Sequence, residues 1–233
     1  MTHPYALLNV RVSTPRLKLR GATDELLSEL APLVRDGQAM AHPAPYDDPM
    51  SLYDDDQARR VDKWLRGVWR ARGTVGTDFW RLCLAVVVDE RAVGMQDVIG
   101  DRFDRFGTVV TFSWLAGDVR GRGLGGEMRA AALHLAFAGL DAREVSSDAF
   151  VDNDASNAVS RGLGYSPNGT TWDTRRGEPA LLQRWRLTRE AWEVAPRTDI
   201  SLHGVEGCRA AFEPAVTPTP PGQADGGGTV HPT

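Results

Sequence analysis

A glycine- and arginine-rich segment, VRGRGLGGEM at residues 119–128, has the composition of a site for a negatively charged group. Glycine has no Cβ atom, so phosphate oxygens can approach such a backbone closely. The segment lies between a predicted strand and a predicted helix, where backbone N–H groups and the helix dipole converge. Arg120, Arg122 and Arg129 add positive charge. The segment therefore predicts an anion site, of the kind that holds a pyrophosphate.

Two kinds of pyrophosphate site fit this glycine spacing. The pattern Gly121-x-Gly123-x-x-Gly126 matches the dinucleotide fingerprint, and Asp141 and Glu144 lie near the offset expected for a ribose contact. A Rossmann unit, however, needs parallel strands and crossover helices on both sides of the loop. The strands before this segment have the pattern of hairpins. An NAD(P)-binding module is therefore a remote alternative, and the other kind of loop is favoured.

The elements that position this loop have the order of an α/β protein of the α+β type. Helix starts are indicated by Thr23 or Asp24 and by the three aspartates at 54–56. The proline-broken, acidic segment 40–56 predicts a loop. In chain order we expect a strand at 16–23, helices at 23–37 and 54–73, strands at 78–90, 91–100 and 107–117, a helix at 125–140, a strand at 142–153, a short helix at 153–165, and closing strands within 166–174 and 179–192.

The composition is that of a globular protein with one main domain. Of 233 residues, 42% are hydrophobic and 25% are charged, and the longest apolar run, LCLAVVV, is too short to span a membrane. The net charge of −4 argues against nucleic-acid binding. We expect a domain at 1–198, a C-terminal extension at 199–213 that covers a sheet edge or makes a homodimer contact, and a disordered Pro/Gly-rich tail at 214–233.

Cysteine and histidine usage indicates a cytoplasmic protein without a metal. The chain has only Cys83 and Cys208, which we expect to be buried and reduced, and its first twenty residues lack a secretory signal. The histidines at 3, 42, 134, 203 and 231 neither cluster nor pair with cysteine at metal-ligand spacing.

Four motifs follow one another along residues 12–193. They are STPRLKLR (13–20), FSWLAGDVRGRGLGGEM (112–128), DNDASNAVSRGLGY (152–165) and PALLQRWRLTREAW (179–192). In this order they resemble the entry strand, the fourth strand with its pyrophosphate loop, the Asn-x-x-Ser and Leu-Gly-aromatic segment, and the closing strand of the GNAT superfamily of acyl-CoA-dependent N-acyltransferases. The resemblance is to the RimJ/RimL-like branch.

The resemblance implies a fold, a reaction and a co-substrate. The GNAT fold has a mixed central sheet of about seven strands, splayed between strands 4 and 5, with flanking helices. The implied reaction is direct attack of a primary amine on acetyl-CoA, or on succinyl-CoA or another acyl-CoA, without a covalent enzyme intermediate and without a metal. The amine belongs to a small molecule or a peptide. The alternative in another class is a non-catalytic acyl-CoA-binding sensor or partner protein.

The resemblance also implies which residues bind coenzyme A. The family loop is often Gln/Arg-x-x-Gly-x-Gly/Ala, and it fits here in two registers: one begins at Asp118 with Gly121 and Gly123, the other at Arg120 with Gly123 and Gly125. Phosphate contacts are mostly made by the main chain, so both registers stay open. The implied binding residues are Trp114, Leu115, Val119, Arg120, Gly121, Arg122, Gly123, Leu124, Gly125, Gly126, Asn153 and Ser156.

Two residues are catalytic candidates on the same basis. The N–H of Leu115, at the end of the fourth strand, is the candidate donor to the oxyanion. Ser160 takes the position, four before Gly164, where many superfamily members have the tyrosine that protonates the departing sulfur. Asn153 can equally be a helix N-cap.

The general base and the acceptor site are less specified. Asp97, Asp148 and Glu127 are candidate bases, and proton removal through ordered water is the alternative. The loop between the first two helices carries an acidic rim that favours a cationic amine. A second interpretation makes that rim a solvated loop and helix start. Trp64, Trp69 and Trp80 are candidates for the lining of an acceptor pocket, but their helical and strand spacing is more typical of core residues. The rim comprises Asp47, Asp48, Asp54, Asp55 and Asp56.

Overall fold

A nine-stranded mixed sheet forms the frame of the molecule in the computed structural model, which describes residues 2–40, 52–175 and 177–212. The strands are β1 (Arg11–Ser13), β2 (Lys18–Gly21), β3 (Phe79–Val88), β4 (Arg91–Asp101), β5 (Thr108–Leu115), β6 (Glu144–Phe150), β7 (Ser166–Arg175), β8 (Glu178–Thr188) and β9 (Ser201–His203). Their order across the sheet is β7-β8-β6-β5-β4-β3-β2-β1-β9.

The helices cover both faces of this sheet. They are α1 (Asp24–Arg35), α2 (Gln57–Gly73), the single turn α3 (Phe103–Phe106), α4 (Leu124–His134), α5 (Asp154–Gly162), α6 (Arg189–Glu193) and α7 (Val205–Phe212). A π-helical turn, Leu135–Gly139, extends α4.

Helices α1 and α2 begin where the sequence carries capping residues. The Thr23 side chain accepts from the Leu26 N–H, and Asp56 accepts from the Arg59 N–H. At the other end of α1, the guanidinium of the buried Arg60 donates to the carbonyls of Arg35 and Val34, at 2.8 and 3.3 Å. Arg60 thereby satisfies carbonyls that a helix end leaves unpaired, and it joins α2 to α1.

Two hydrophobic cores lie on opposite faces of the sheet. One packs α1 and α2 against alternate side chains of β3, β4 and β5, including Trp64, Met95 and Trp114. The other packs α4 with its π-helical extension against the opposite face, with Leu84 and Val109 among its members. The alternation of side chains along each strand places neighbouring residues of β5 in different cores.

The antiparallel meander predicted before the glycine loop is present as β3, β4 and β5. Asp89 and Glu90 both have positive φ at the β3–β4 turn, as a two-residue hairpin requires. In the described sheet only β5 and β6 run parallel to each other. A Rossmann unit would need parallel neighbours on both sides of the loop, so the dinucleotide interpretation of the glycine spacing is wrong.

The sheet has two strands more than the seven predicted. β1 was not expected as a separate strand; it pairs with β2 across the turn at Thr14–Leu17. β9 comes from the segment after the closing strand and pairs with the free edge of β1. Within α7, which follows β9, Cys208 is fully buried and Phe212 stacks on Trp80 at 4.1 Å between ring centroids. Residues 214–233 lie outside the described part of the chain, so the predicted disordered tail stays a prediction.

Candidate functional site

A slot opens where β5 and β6 separate. The two strands pair only from Thr108↔Glu144 to Val110↔Ser146 and diverge beyond that point. The resulting cleft has a volume of about 270 Å³. Its lining comes from β5 (Thr111 to Leu115), β6 (Ser147 to Phe150), α4 (Gly125, Met128, Arg129), α5 (Asn153, Ala155, Ser156, Val159), Arg120, and the α1–α2 segment (Ala39, Leu52, Tyr53).

The slot passes between the two faces of the sheet. On the α4 face it is bordered by Met128, Arg129 and the buried Ser147. On the α1–α2 face it is bordered by Leu52 and Tyr53. A ligand held between β5 and β6 is therefore accessible to different groups from the two faces.

The backbone of β5 presents N–H groups to this slot. The Ala116 N–H donates to the Val93 carbonyl at 2.8 Å, which makes those two residues a hydrogen-bonded pair of the β4–β5 ladder. Because bonding alternates along an antiparallel ladder, the N–H groups of Leu115 and Ser113 point away from β4, toward the side that β6 has left. The Ser146 hydroxyl reaches the Val109 carbonyl in the same direction. The Leu115 N–H thus faces the slot, and so does that of Ser113, which the sequence interpretation missed.

The glycine loop turns the chain from β5 into α4. Gly121 and Gly123 have φ of +73° and +77°, a region that residues with a Cβ adopt at a cost. Gly123 is the N-cap of α4, and its carbonyl accepts the first intrahelical hydrogen bond, from the Glu127 N–H. The N–H groups of Leu124, Gly125 and Gly126 therefore have no acceptor within the helix. These donors and the positive end of the helix dipole lie at the slot, since Gly125 is one of its lining residues.

Arg120 links this loop to β5. Its Nε donates to the Leu115 carbonyl at 2.8 Å, and its Nη2 donates to the Gln38 carbonyl at 3.0 Å. Burial lowers the pKa of Arg120, and the opposing effect of Tyr53 is smaller. Asp118 instead pairs with Arg91 at 2.8 Å, and both side chains are exposed. The geometry therefore favours the loop register that begins at Arg120.

The remaining predicted loop residues divide between core and surface. Val119 and Leu124 are buried in the core on the α4 face. Trp114 lies in the other core and also lines the slot. The Arg122 side chain is exposed, while its carbonyl accepts a hydrogen bond from Arg16 at 2.9 Å.

Glu127, one of the candidate bases, has a structural position. Its carboxylate accepts from the Thr14 hydroxyl at 2.5 Å, from the Arg16 N–H at 3.0 Å and from the Arg16 guanidinium at 2.5 Å. Burial raises the pKa of Glu127, but these hydrogen bonds outweigh burial and the net pKa is lowered. Glu127 therefore ties the β1–β2 turn to the first turn of α4, and it is not among the residues that line the slot.

The two other candidate bases lie in different surroundings. Asp97 is buried on β4, and its Oδ2 forms an ion pair with Arg81 at 2.6 Å. Asp148 lines the slot on β6, about one-third exposed, with the Arg184 guanidinium at 3.9 Å. Burial raises the pKa of Asp148, against the smaller lowering effect of Arg184. Of the three carboxylates, only Asp148 combines a place in the slot with a raised pKa.

Helix α5 supplies the opposite wall of the slot. Asn153 is its N-cap and accepts from the Ser156 N–H at 3.1 Å, and both side chains line the slot. Ser160 lies one turn beyond Ser156 on the same helix stripe. Its hydroxyl is fully buried without a hydrogen-bond partner among the described residues, and Ser160 is not among the lining residues.

A buried polar group at the narrow end of the slot was not singled out by the sequence. Arg129, noted there only for its charge near the loop, is 5% exposed and donates from Nη1 to the Ser147 hydroxyl at 2.8 Å. Tyr165 and Thr111 are buried beside it. Because the sequence places Arg129 on a helix with apolar neighbours, only the packing of α4 on the sheet could identify this cluster.

None of the described acidic-rim residues, and none of the three tryptophans, lines the slot. Asp47 and Asp48 lie outside the described residues. Asp54 pairs with Lys63 and Arg59, and the hydrogen bond from Lys63 is the largest cause that lowers its pKa to about 2. Asp56 caps α2, and Asp55 is exposed. Trp64 and Trp80 are fully buried in the two cores, while Trp69 is 49% exposed.

The described residues contain neither a metal-ligand cluster nor a membrane-spanning helix. Within them, no three His, Cys, Asp or Glu side chains are grouped as a metal site requires. None of the helices in that part of the chain has the length and apolar character of a membrane span. Cys83 and Cys208 are both free and buried, as expected.

Comparisons with known proteins bear on this geometry. A family model described as an acetyltransferase (GNAT) domain matches residues 16–166. RimJ from Mycobacterium smegmatis, solved with a CoA-disulfide, is 16% identical with a TM-score of 0.68, over 88% of this chain and 96% of that chain. RimL, a ribosomal L7/L12 alpha-N-protein acetyltransferase solved with coenzyme A, is 19% identical with a TM-score of 0.61, over 76% and 97%. A GNAT-family acetyltransferase from Bacillus anthracis is 14% identical with a TM-score of 0.61, over 77% and 99%.

Proposed function

Because the chain belongs to the GNAT acetyltransferase family and is an acyl-CoA-dependent N-acyltransferase, we propose that it moves an acetyl or succinyl group from coenzyme A to the primary amine of a peptide or small molecule. The observation that carries this proposal is the slot between β5 and β6. It joins the open N-terminus of α4 to a strand whose Leu115 N–H faces the ligand.

The pyrophosphate of the acyl-CoA lies on residues 119–126 in this proposal. The N–H groups of Leu124, Gly125 and Gly126 donate to its oxygens, and the positive phi angles of Gly121 and Gly123 turn these donors toward one point. Arg120 and Arg122 supply charge at the loop. Asn153 and Ser156 border the pantetheine arm from α5.

The amine attacks the thioester carbonyl directly. A C–N bond forms as the C=O π pair moves to oxygen, and the Leu115 N–H donates to the resulting oxyanion. The C–S bond then breaks, and the electron pair leaves with sulfur as the coenzyme A thiolate. The amine proton passes to Asp148, directly or through water, because this carboxylate lies in the slot and burial raises its pKa above the ordinary aspartate value. The products are an amide and coenzyme A.

Ser160 is our candidate for hydrogen bonding to the leaving sulfur. Support comes from its buried hydroxyl, which can donate a hydrogen bond and has no hydrogen-bond partner among the described residues. Ser160 lies one turn beyond Ser156, which lines the slot. A Ser160→Ala variant should keep its affinity for coenzyme A and lose kcat, and an unchanged kcat would remove Ser160 from the mechanism.

The acceptor amine reaches the slot from the α1–α2 face, where Asp148 and Tyr53 lie. Among the described acidic residues of the α1–α2 segment, Asp54 is paired with Lys63 and Arg59, so Asp148 is the better-placed attraction for a cationic amine. RimL, which is similar in fold, is described as acting on a protein N-terminus. We place the reaction in the cytoplasm, to which the two free thiols are suited.

Calorimetric titration with acetyl-CoA, succinyl-CoA, coenzyme A and NADP tests the proposal. Micromolar binding of an acyl-CoA with no binding of NADP is expected, followed by release of coenzyme A when peptide N-termini, lysine or polyamines are added. Binding without turnover of any amine would favour the alternative of a non-catalytic acyl-CoA sensor. Failure to bind coenzyme A in any form would overturn the proposed function.

A further inference from the structure

Gln96 is a polar side chain inside an apolar core. It is fully buried on β4, opposite Leu84 of β3, which belongs to the core on the α4 face. Its Nε2 donates to the Asp97 carbonyl at 2.9 Å and to the Phe112 carbonyl at 3.0 Å. Its Oε1 has no hydrogen-bond partner among the described residues. A buried, unpaired amide oxygen is costly, and an aliphatic side chain would fill this place without that cost, which indicates a role other than packing.

The two carbonyls that Gln96 contacts already belong to the β4–β5 ladder. Asp97 and Phe112 are paired across these strands. They lie four residues from the pair in which the Ala116 N–H donates to the Val93 carbonyl. Because hydrogen-bonded pairs alternate along an antiparallel ladder, Asp97 and Phe112 exchange both of their backbone hydrogen bonds. The bond from Gln96 to the Phe112 carbonyl is therefore an additional one, which the pairing of the strands does not need.

The Phe112 carbonyl and the Ser113 N–H belong to the same peptide group. In a trans peptide they point in opposite directions, so the carbonyl faces β4 while the N–H faces the slot, which Ser113 lines. Each hydrogen bond to the carbonyl draws electron density toward its oxygen and makes the N–H of that peptide a stronger donor. Gln96 thus fixes the plane of this peptide and strengthens an N–H group that faces the ligand.

We propose that Gln96 is a positioning residue for the transfer reaction: it holds and polarises the peptide between Phe112 and Ser113, whose N–H donates to a carbonyl oxygen of the bound acyl-CoA. The inference rests on the proposed function, because it needs acyl-CoA in the slot. The N–H groups of Ser113 and Leu115 are about 7 Å apart along an extended strand, so they bind two different oxygen atoms. Gln96 itself stays in the core and is not among the residues that line the slot.

The first experiment follows the Ser113 amide by NMR in the isotope-labelled, otherwise unmodified protein. Addition of acetyl-CoA should move its proton signal downfield, because the N–H gains an acceptor. The same shift with coenzyme A alone would assign the acceptor to an amide carbonyl of the pantetheine arm, and a shift that needs acetyl-CoA would assign it to the thioester; either supports the proposal. In the ligand-free Gln96→Met variant the signal should move upfield, because the peptide loses a polarising bond.

The second experiment separates positioning from a structural role. Gln96→Met should lower kcat/KM for acetyl-CoA, measured with the best amine acceptor, by about 3- to 10-fold, the range of one hydrogen bond. Its thermal unfolding temperature should stay the same or rise, because the unpaired Oε1 is removed from the core. Leu84→Met, a substitution of similar volume directly opposite Gln96, is the matched control and should change neither kcat/KM nor the Ser113 signal.

The outcomes separate this inference from the proposed function. A Ser113 amide signal that did not move with acetyl-CoA, although calorimetry showed binding, would overturn the inference and leave the acyltransferase intact. A Gln96→Met variant with unchanged kcat/KM, or with stability and activity lost together, would also overturn it. Absence of coenzyme A binding in any form would overturn the proposed function itself.

Discussion

The Arg120 guanidinium donates to the Leu115 carbonyl at 2.8 Å, and this contact joins the glycine loop to the strand that faces the slot. The same side chain reaches Gln38 after α1, so three segments of the chain meet at one planar group. The consequence is that the orientation of the Leu115 peptide and the position of the loop are set together.

Replacement of Arg120 by lysine should uncouple the loop from β5. A single ammonium cannot repeat the geometry that holds the Leu115 and Gln38 carbonyls at once, so kcat/KM for acyl-CoA should fall about tenfold. Steady-state kinetics and calorimetry measure this change. Arg91→Lys is the matched control, since a lysine there can still pair with the exposed Asp118. Equal effects of the two variants would contradict the coupling.

Gly123→Ala should weaken coenzyme A binding. An alanine at a φ of +77° costs about 1–2 kcal/mol, and relaxation of that strain would displace the N–H donors at the start of α4. Calorimetric titration with coenzyme A measures the loss. Gly162→Ala, where the added Cβ meets nothing within 4 Å, should leave binding unchanged. Coenzyme A affinity equal to that of the unmodified protein in Gly123→Ala would argue against the loop as the phosphate site.

Leu115→Pro removes the oxyanion donor that we propose. The Leu115 N–H takes no part in the β4–β5 ladder, so its loss should lower kcat on the order of 100- to 1,000-fold without unpairing the strands. The affinity for coenzyme A and the thermal unfolding transition serve as controls for misfolding. If Ser113→Pro lowered kcat and Leu115→Pro did not, the oxyanion donor would be the Ser113 N–H, two residues further along β5 from the glycine loop.

Asp148→Asn tests the general base through pH dependence. Burial raises the pKa of Asp148 in the folded protein, and only the deprotonated carboxylate accepts a proton, so activity should fall as the pH drops through a pKa above that of an exposed aspartate. The variant should have a kcat about 100-fold lower and lack this acid limb. Asp152→Asn, which alters an ion pair with Arg175 away from the slot, should keep it. An acid limb that persists in Asp148→Asn would assign proton removal to another group.

Glu127→Gln should destabilise the fold. Its carboxylate accepts three hydrogen bonds from Thr14 and Arg16, and we expect a loss of about 1–2 kcal/mol in the free energy of unfolding. The folded-state pKa of Glu127 is lowered, so its contribution is present above the ordinary glutamate pKa and is lost as the pH falls through the lowered value. Urea unfolding at neutral and acidic pH measures both effects, with Asp62→Asn as an exposed control. A difference that did not shrink at acidic pH would contradict this role.

Local sequence patterns predicted most of the fold because each depends on near neighbours in the chain. The caps Thr23, Asp56 and Asn153 each accept from the N–H three residues further on, so their helices could be located from sequence. The meander into the glycine loop was predicted from its strand and turn patterns and the family from motif order, and both are confirmed. β1 and β9 were missed because each has only three residues, too few for a periodic pattern, and because β9 exists only through pairing with β1, far away in the chain (Arg11↔His203).

The sequence by itself determined the family, the place of the glycine loop between a strand and a helix, and part of the lining of the slot, including Trp114, Arg120 and Asn153. Only the tertiary structure decided which of them face the ligand. The ladder with β4 turns the Leu115 and Ser113 N–H groups toward β6. Contacts over more than a hundred residues assign Glu127 to Thr14 and Arg16, and not to the slot. The packing of α4 on the sheet buries Arg129 against the Ser147 hydroxyl, because burial depends on what lies opposite a side chain and not on its neighbours in sequence.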